Sequence, residues 1–330
     1  MYQYILCGLK VESDLAFPEL TPWPGAREHP FEIEFRLGPV EQLWGEDEKG
    51  VQFEADGPDK ITFHISGAGR ILIERGKRVV FDAFSAVDED RIRLQLIGTI
   101  QSMLWYQRGY LPLHASALLV DDRAIAIGAC SHSGKSVLAA ALTKRGCPLI
   151  VDDMMVVDWS QEVPIVLPGY QKLRLWKDAC EQLGLMRDTI AKAHLIRDKF
   201  VVETVGSPPQ TPVPLTDVLI LTDRRGGSLS VHPLGPVQGL QHLLAATHML
   251  DAARALGRHE QIFAGLNSII GNARIWRATA PQGLQYARAT ADSILTLVRT
   301  DQQLRALQEC RARPGREHIA DTKKDSEPKH

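Results

Sequence analysis

The sequence predicts a mixed α/β protein with a β-rich N-terminal region, a connecting helix and a larger α/β core. Three observations carry this. Residues 1–85 contain runs that alternate apolar and polar residues, residues 88–109 change to helical spacing, and residues 115–151 read as strand, loop, helix, strand. The implied division is 1–87 for the β-rich region, 88–110 for the connecting helix, 111–310 for the core and 311–330 for a tail.

In the first region FEIEFRL (31–37), KITFHIS (60–66) and RILIERG (70–76) have the period-2 pattern of half-buried antiparallel strands, punctuated by Gly, Pro and Asp. In the second, Ile92, Leu96, Ile100, Met103 and Leu104 recur at helical spacing with no intervening Pro. The core opens with the apolar runs Ala115–Val120 and Ala124–Gly128, joined by Asp121-Asp122-Arg123. A loop follows, then a helix over about 134–145 closed by Gly146, a strand Pro148–Val151 and the pair Asp152-Asp153. Further on come a helix near 176–185, a strand over 216–223 and helices over 236–256 and 258–270. The tail from Arg311 is charged and nearly devoid of large apolar residues, the composition of disordered chain.

Composition narrows the function. The chain has 330 residues, 44% hydrophobic and 24% charged, with a formal net charge of −2. Such a balance gives no global electrostatic reason to bind nucleic acid or an anionic membrane. Five scattered cysteines (Cys7, Cys130, Cys147, Cys180, Cys310) with no CxxC pair suit a reducing cytoplasm rather than a disulfide scaffold or zinc site. The N-terminus lacks the pattern of a secretory signal, and no stretch matches a bilayer-spanning run.

Residues 129–136, Ala-Cys-Ser-His-Ser-Gly-Lys-Ser, match the phosphate-loop pattern [AG]xxxxGK[ST] between a strand and a helix. In such a loop, backbone N–H groups of Ala129, Cys130, Ser131, His132, Ser133, Gly134, Lys135, Ser136 and Val137 would cradle phosphates at a helix N-terminus. Lys135 would reach the β- and γ-phosphates of ATP, and Ser136 would offer its hydroxyl to Mg2+. Asp152 and Asp153 follow the next strand, where a nucleotide's metal is expected. One carboxylate would bind the metal directly or through water, and the other would accept a proton from an attacking hydroxyl. His114 leads into the strand before the loop; a lone His near apolar residues is ordinarily a packed one. Lys172 and Arg174 alternate in PGYQKLRLW, and Lys199 sits in a second basic stretch; either set could hold phosphate or form a solvated face.

Over His114 to Asp153 the chain, with LPLHASALLV, ACSHSGKS and ALTKRGCPLIVDD, resembles the HPr kinase/phosphorylase family and its wider group of HPr-kinase-like serine kinases. The His-to-Lys and Lys-to-Asp intervals agree with that family. The resemblance implies a P-loop core like that of HPr kinase and phosphoenolpyruvate carboxykinase. It places Lys135 and Ser136 on ATP and magnesium, one aspartate as base, and His114 beside the reacting phosphoryl group. It implies transfer of the γ-phosphoryl group to a serine or threonine hydroxyl of a peptide or protein. The β-rich start and LPLHAS are similar to a subgroup found with lasso-peptide biosynthesis, whose acceptor is a precursor peptide. HPr kinases form hexamers, so a homo-oligomer is also implied. Ala129 and His132 stand where the family has glycines, Val137 stands where it has an acidic residue, and its glycine-rich phosphorylase signature is not found. Two other readings stay open: a kinase of a small hydroxylated metabolite, and an ATP-binding regulator without catalysis.

Overall fold

The computed structural model describes residues 1–26, 29–45, 48–84, 89–129, 134–186, 189–192, 199–203, 206–222, 229–281 and 284–312. The chain divides into a larger unit, Met1–Ala291, and a remainder, Asp292–His330. It is a mixed α/β protein with a β-rich N-terminal region.

The first sheet comprises β1 (Tyr2–Leu6), β2 (Leu9–Ser13), β3 (Thr21–Pro22), β4 (Ile33–Leu37), β5 (Val51–Ala55), β6 (Lys60–Ile65), β7 (Gly69–Glu74) and β8 (Arg78–Ala83). Their order is β3-β1-β2-β4-β8-β7-β6-β5. Alternation works as expected in β4, where Ile33 and Phe35 are buried while Arg36, on the other face, pairs with Glu12 and Glu34. Strand β6 departs from it. Thr62 and His64 are buried as well; the Trp44 and Phe84 rings lie tilted against the His64 ring, and Glu48 meets its Nε2 through the backbone carbonyl.

The stretch expected as one helix over 88–110 is α1 (Glu89–Ile97), a 3₁₀ turn (Thr99–Gln101) and α2 (Ser102–Gln107). The break falls at Gly98, where the Gln101 side-chain amide donates to the Ile97 carbonyl, 2.5 Å away. Helix α2 is buried from Ser102 to Tyr106, as a helix apolar on all sides must be.

The second sheet positions the candidate site. Its chain segment runs β9 (Leu111–Leu113), β10 (Ala115–Val120), β11 (Arg123–Ala129), α3 (Lys135–Thr143), β12 (Leu149–Val151), β13 (Met155–Asp158) and β14 (Ile165–Val166). A separate three-stranded sheet is made by β15 (Leu173–Trp176), β16 (Thr189–Lys192) and β17 (Lys199–Val202), with α4 (Lys177–Leu183) following β15. The chain then returns through β18 (Val213–Thr222), β19 (Ser230–Pro233), α5 (Pro236–Ala245), α6 (Leu250–Ala255), α7 (His259–Asn272) and β20 (Arg274–Thr279). The order is β12-β10-β11-β18-β14-β13-β9, with β20 beside β18 and β19 beside β20.

Strand β10 is antiparallel to both β11 and β12, so those two run parallel with β10 between them. The register Ala115↔Gly128 and Ala117↔Val151 brings the start of β10 beside the ends of both. Residues 114–116, 134–136 and 152–153 therefore meet at one end of the sheet.

The helix expected over 236–256 is broken into α5 and α6. Between them the backbone bonds to β9 instead of continuing the helix: His114 N–H to Ala246 O, His248 N–H to Pro112 O, and a bridge Leu113↔Thr247. One hydrophobic core joins the layers, with Phe17 and Phe35 from the first sheet, Trp105 from α2, and Ile150 and Leu266 from the core. Helix α8 (Ala287–Ala312) covers the first two residues of the predicted tail, and the rest of that tail lies outside the described residues. Among the described residues no helix is long and apolar enough to cross a membrane.

Candidate active site

At the end of β11 the chain reaches Ala129, whose backbone lies opposite Leu221. Cys130, Ser131, His132 and Ser133 lie outside the described residues. The chain resumes at Gly134, the N-cap of α3, with φ of +90°. That left-handed geometry favours glycine and turns the chain into the helix. Lys135, Ser136 and Val137 form the first helical turn, all partly buried.

Four polar side chains converge at this corner. The Lys135 Nζ lies 3.2 Å from Ser116 Oγ, 3.3 Å from Asp152 Oδ1 and 3.6 Å from Asp153 Oδ1. Ser116, fully buried, donates its hydroxyl to Asp152 Oδ1 at 2.5 Å. The Asp152 side chain is 4% exposed, so its charge needs this lysine and this hydroxyl. Asp153 differs: its side chain is 54% exposed and its backbone is left-handed, with φ of +71°. Its Oδ1 accepts from His114 Nε2 at 3.1 Å. The His114 hydrogen bond, helped by Lys135 and Arg174 and opposed by burial, holds the Asp153 carboxyl well below the usual carboxylate range. The ionised acceptor fixes the proton of that bond on the imidazole.

His248 completes the corner and has no signature in the sequence. Its Nε2 is 3.2 Å from the backbone oxygen of Asp153, and its ring centroid is 5.4 Å from that of His114. Burial pushes the His248 imidazole down to about 4. A neutral ring facing a carbonyl must carry its proton on Nε2, so His248 donates. Its own carbonyl accepts from the Tyr106 hydroxyl at 2.8 Å, which ties the site to buried α2.

Arg174, on β15, stacks over the Tyr170 ring at 5.4 Å and adds positive potential at Asp153. Lys172 lies just before the strand, so the pair does not alternate along one strand face. Lys199 begins β17 opposite Trp176, in the neighbouring strand to Arg174. Asp152, Asp153, Arg174 and His248 line a cavity of about 30 Å³ that also reaches the connecting helices at Gln101 and Trp105.

Magnesium takes hard oxygen ligands and keeps several waters, so it needs only one or two protein oxygens beside the phosphates. The Asp152 carboxylate and the Ser136 hydroxyl are of that type. Among the described residues no three His, Cys, Asp or Glu side chains gather as a closed metal cage, which such a metal does not require.

No protein-family model matches this chain, and no curated protein matches it. Among solved structures it is similar to the Hpr(Ser) kinase/phosphatase from Coxiella burnetii, at 15% identity over 61% of this chain and 96% of that chain, with a TM-score of 0.31. At that TM-score the likeness carries neither mechanism nor substrate to this chain.

Proposed function

We propose that this protein is a magnesium-dependent kinase that transfers the γ-phosphoryl group of ATP to a serine or threonine hydroxyl of a peptide or protein. The observation that carries the reading is the meeting of Lys135 with both Asp152 and Asp153, at 3.3 and 3.6 Å, where α3 begins after a phosphate-loop sequence. A cation at a helix N-terminus suits a triphosphate. Two carboxylates of unlike environment beside it suit unlike tasks: buried Asp152 as a metal ligand with Ser136, and exposed Asp153 facing the acceptor. The metal would supply charge neutralisation on the phosphates.

Lys135 would exchange its carboxylate partners for phosphate oxygens when ATP binds. The amine also lowers the proton affinity of Asp153. Its departure toward phosphate would make Asp153 a better proton acceptor just when the acceptor hydroxyl needs one. His114 holds the same oxygen, Oδ1, so it stays in place as the lysine leaves. Phosphoryl transfer asks mainly for positioning and charge neutralisation, and a weak base suffices.

The test is transfer of labelled γ-phosphate from MgATP to serine-containing peptides and to HPr, with wild type and Lys135→Ala. Label on an acceptor, absent in the variant, is expected. Undiminished transfer by Lys135→Ala would remove the assignment.

A further inference from the structure

Three side chains with a buried atom that lacks a hydrogen-bond partner among the described residues line two neighbouring spaces, the smaller of them beside Asp153. Glu19, whose Oε1 pairs with Arg93 at 3.6 Å and whose Oε2 has no partner, lines a groove of about 290 Å³ between the first sheet, the strap at Gly169–Lys172 and the segment after β17. Gln101, whose Oε1 has no partner, and Trp105, whose Nε1 has none, line the cavity of about 30 Å³ whose wall includes Asp153 and Arg174. Both side chains are more than nine-tenths buried. Groove and cavity share Leu6, Gly169 and Tyr170 as walls.

Buried polar atoms in folded proteins almost always find partners, because an unmet one loses its hydration without compensation. Several gathered along one space mark where polar atoms from outside are received. The indole N–H donates, whereas the amide and carboxylate oxygens accept. In the cavity the indole and amide pair suits a hydroxyl, which can accept from the indole and donate to the amide oxygen, while in the groove the Glu19 carboxylate suits a peptide N–H. Space limits what the inner cavity takes. About 30 Å³ holds roughly two water-sized groups, which is the size of a hydroxymethyl and excludes an aromatic ring. The outer groove is open at its rim, where exposed Glu203 and partly buried Lys172 give it charges of both signs.

We propose that groove and cavity form one acceptor channel, in which an extended peptide lies against the β1/β3 edge of the first sheet and presents a hydroxymethyl side chain to Asp153. The proposal rests on the kinase reading above. It gives the N-terminal sheet a task, since Leu6, Glu19 and Thr21 supply one wall of the groove.

The test uses MgATP with labelled γ-phosphate and a library of peptides with a fixed central serine and randomised flanks. Thr21→Trp and Glu203→Lys are compared with wild type; both positions are exposed and outside the chemistry. Thr21→Trp is expected to raise KM for the best peptide by about tenfold, a change of 1.4 kcal/mol, with KM for ATP unchanged. Glu203→Lys is expected to shift the preference at one flanking position from basic to acidic residues. Labelled peptides whose KM and flanking preferences are the same in both variants as in wild type would overturn the channel and leave the kinase standing. No peptide labelled by wild type would overturn the peptide-kinase reading and the channel with it.

Discussion

The imidazole of His248 donates to the carbonyl oxygen of Asp153 at 3.2 Å, from 95 residues further along the chain. That carbonyl belongs to a non-glycine residue in left-handed backbone, a conformation that persists where surrounding contacts hold it. His248 is itself held by the Tyr106 hydroxyl and by its own N–H to Pro112 O. A strut thus runs from buried α2 to the residue proposed to face the acceptor.

His248→Phe removes the donor and keeps the bulk, so turnover should fall by about tenfold or more while ATP affinity changes little. His248→Gln, which keeps an N–H donor, should recover much of the loss. Steady-state kinetics on the two variants checks this. Equal losses in both would show that ring packing, not the hydrogen bond, matters.

The same residue gives a pH dependence of stability. Its folded-state value of about 4 lies below the ordinary imidazole value of 6.5, so between those limits the unfolded chain binds a proton that the folded chain refuses. Stability should therefore fall as pH drops from about 6.5 to about 4. The charged neighbours are Asp153, His114 and Lys135, of which only Asp153 favours protonation. Urea midpoints at pH 7 and pH 4.5 should differ more for wild type than for His248→Gln.

Asp153 titrates in a lower window. Its folded value is depressed below 3.8, chiefly by the His114 hydrogen bond, so its stabilising contribution is complete above that pH and is lost as pH falls through the folded value. Asp153→Asn should be less stable than wild type near pH 6, and the two should converge in strong acid. The side chain is 54% exposed, so solvent screening limits the gap to about 1 kcal/mol or less. Denaturation at pH 6 and below pH 3 reads it out.

Lys135 and Asp152 make a buried ion pair, with side chains 10% and 4% exposed. Removing one partner strands the other charge. Lys135→Met should therefore destabilise the nucleotide-free protein by about 3 kcal/mol, and adding Asp152→Asn should return much of it. A double-mutant cycle on the unfolding free energies measures the coupling.

Legibility followed sequence distance. The strand, helix and Asp-Asp spacing could be read from residues 114–153 because the β11–α3–β12 unit is local and each part obeys its own pattern. His248 could not be read, since its place depends on a break between α5 and α6 set by hydrogen bonds to β9. The single helix expected there failed for the same reason: periodicity counts apolar residues and is blind to backbone groups bonded elsewhere. Arg174 was visible as a charge, but its stacking on Tyr170 and its approach to Asp153 come from tertiary packing. Ser116 is a lone polar residue within an apolar strand and carries no motif.

Ser116 has no room for an ordinary role. It is fully buried beside the ends of β11 and β12, accepts from Lys135 and donates to Asp152. Its hydroxyl thus fixes which carboxylate oxygen faces the lysine and leaves the rest of Asp152 for a metal. Ser116→Ala should cost about 1–2 kcal/mol of stability, since two buried charged groups each lose a partner. If Asp152 is a magnesium ligand, the variant should also need several-fold more Mg2+ for half-maximal transfer while its turnover at saturating Mg2+ stays near wild type. Titrating Mg2+ at fixed ATP separates the two effects. A lowered Tm with an unchanged Mg2+ requirement would make Ser116 a structural group alone and would argue against Asp152 as the metal ligand.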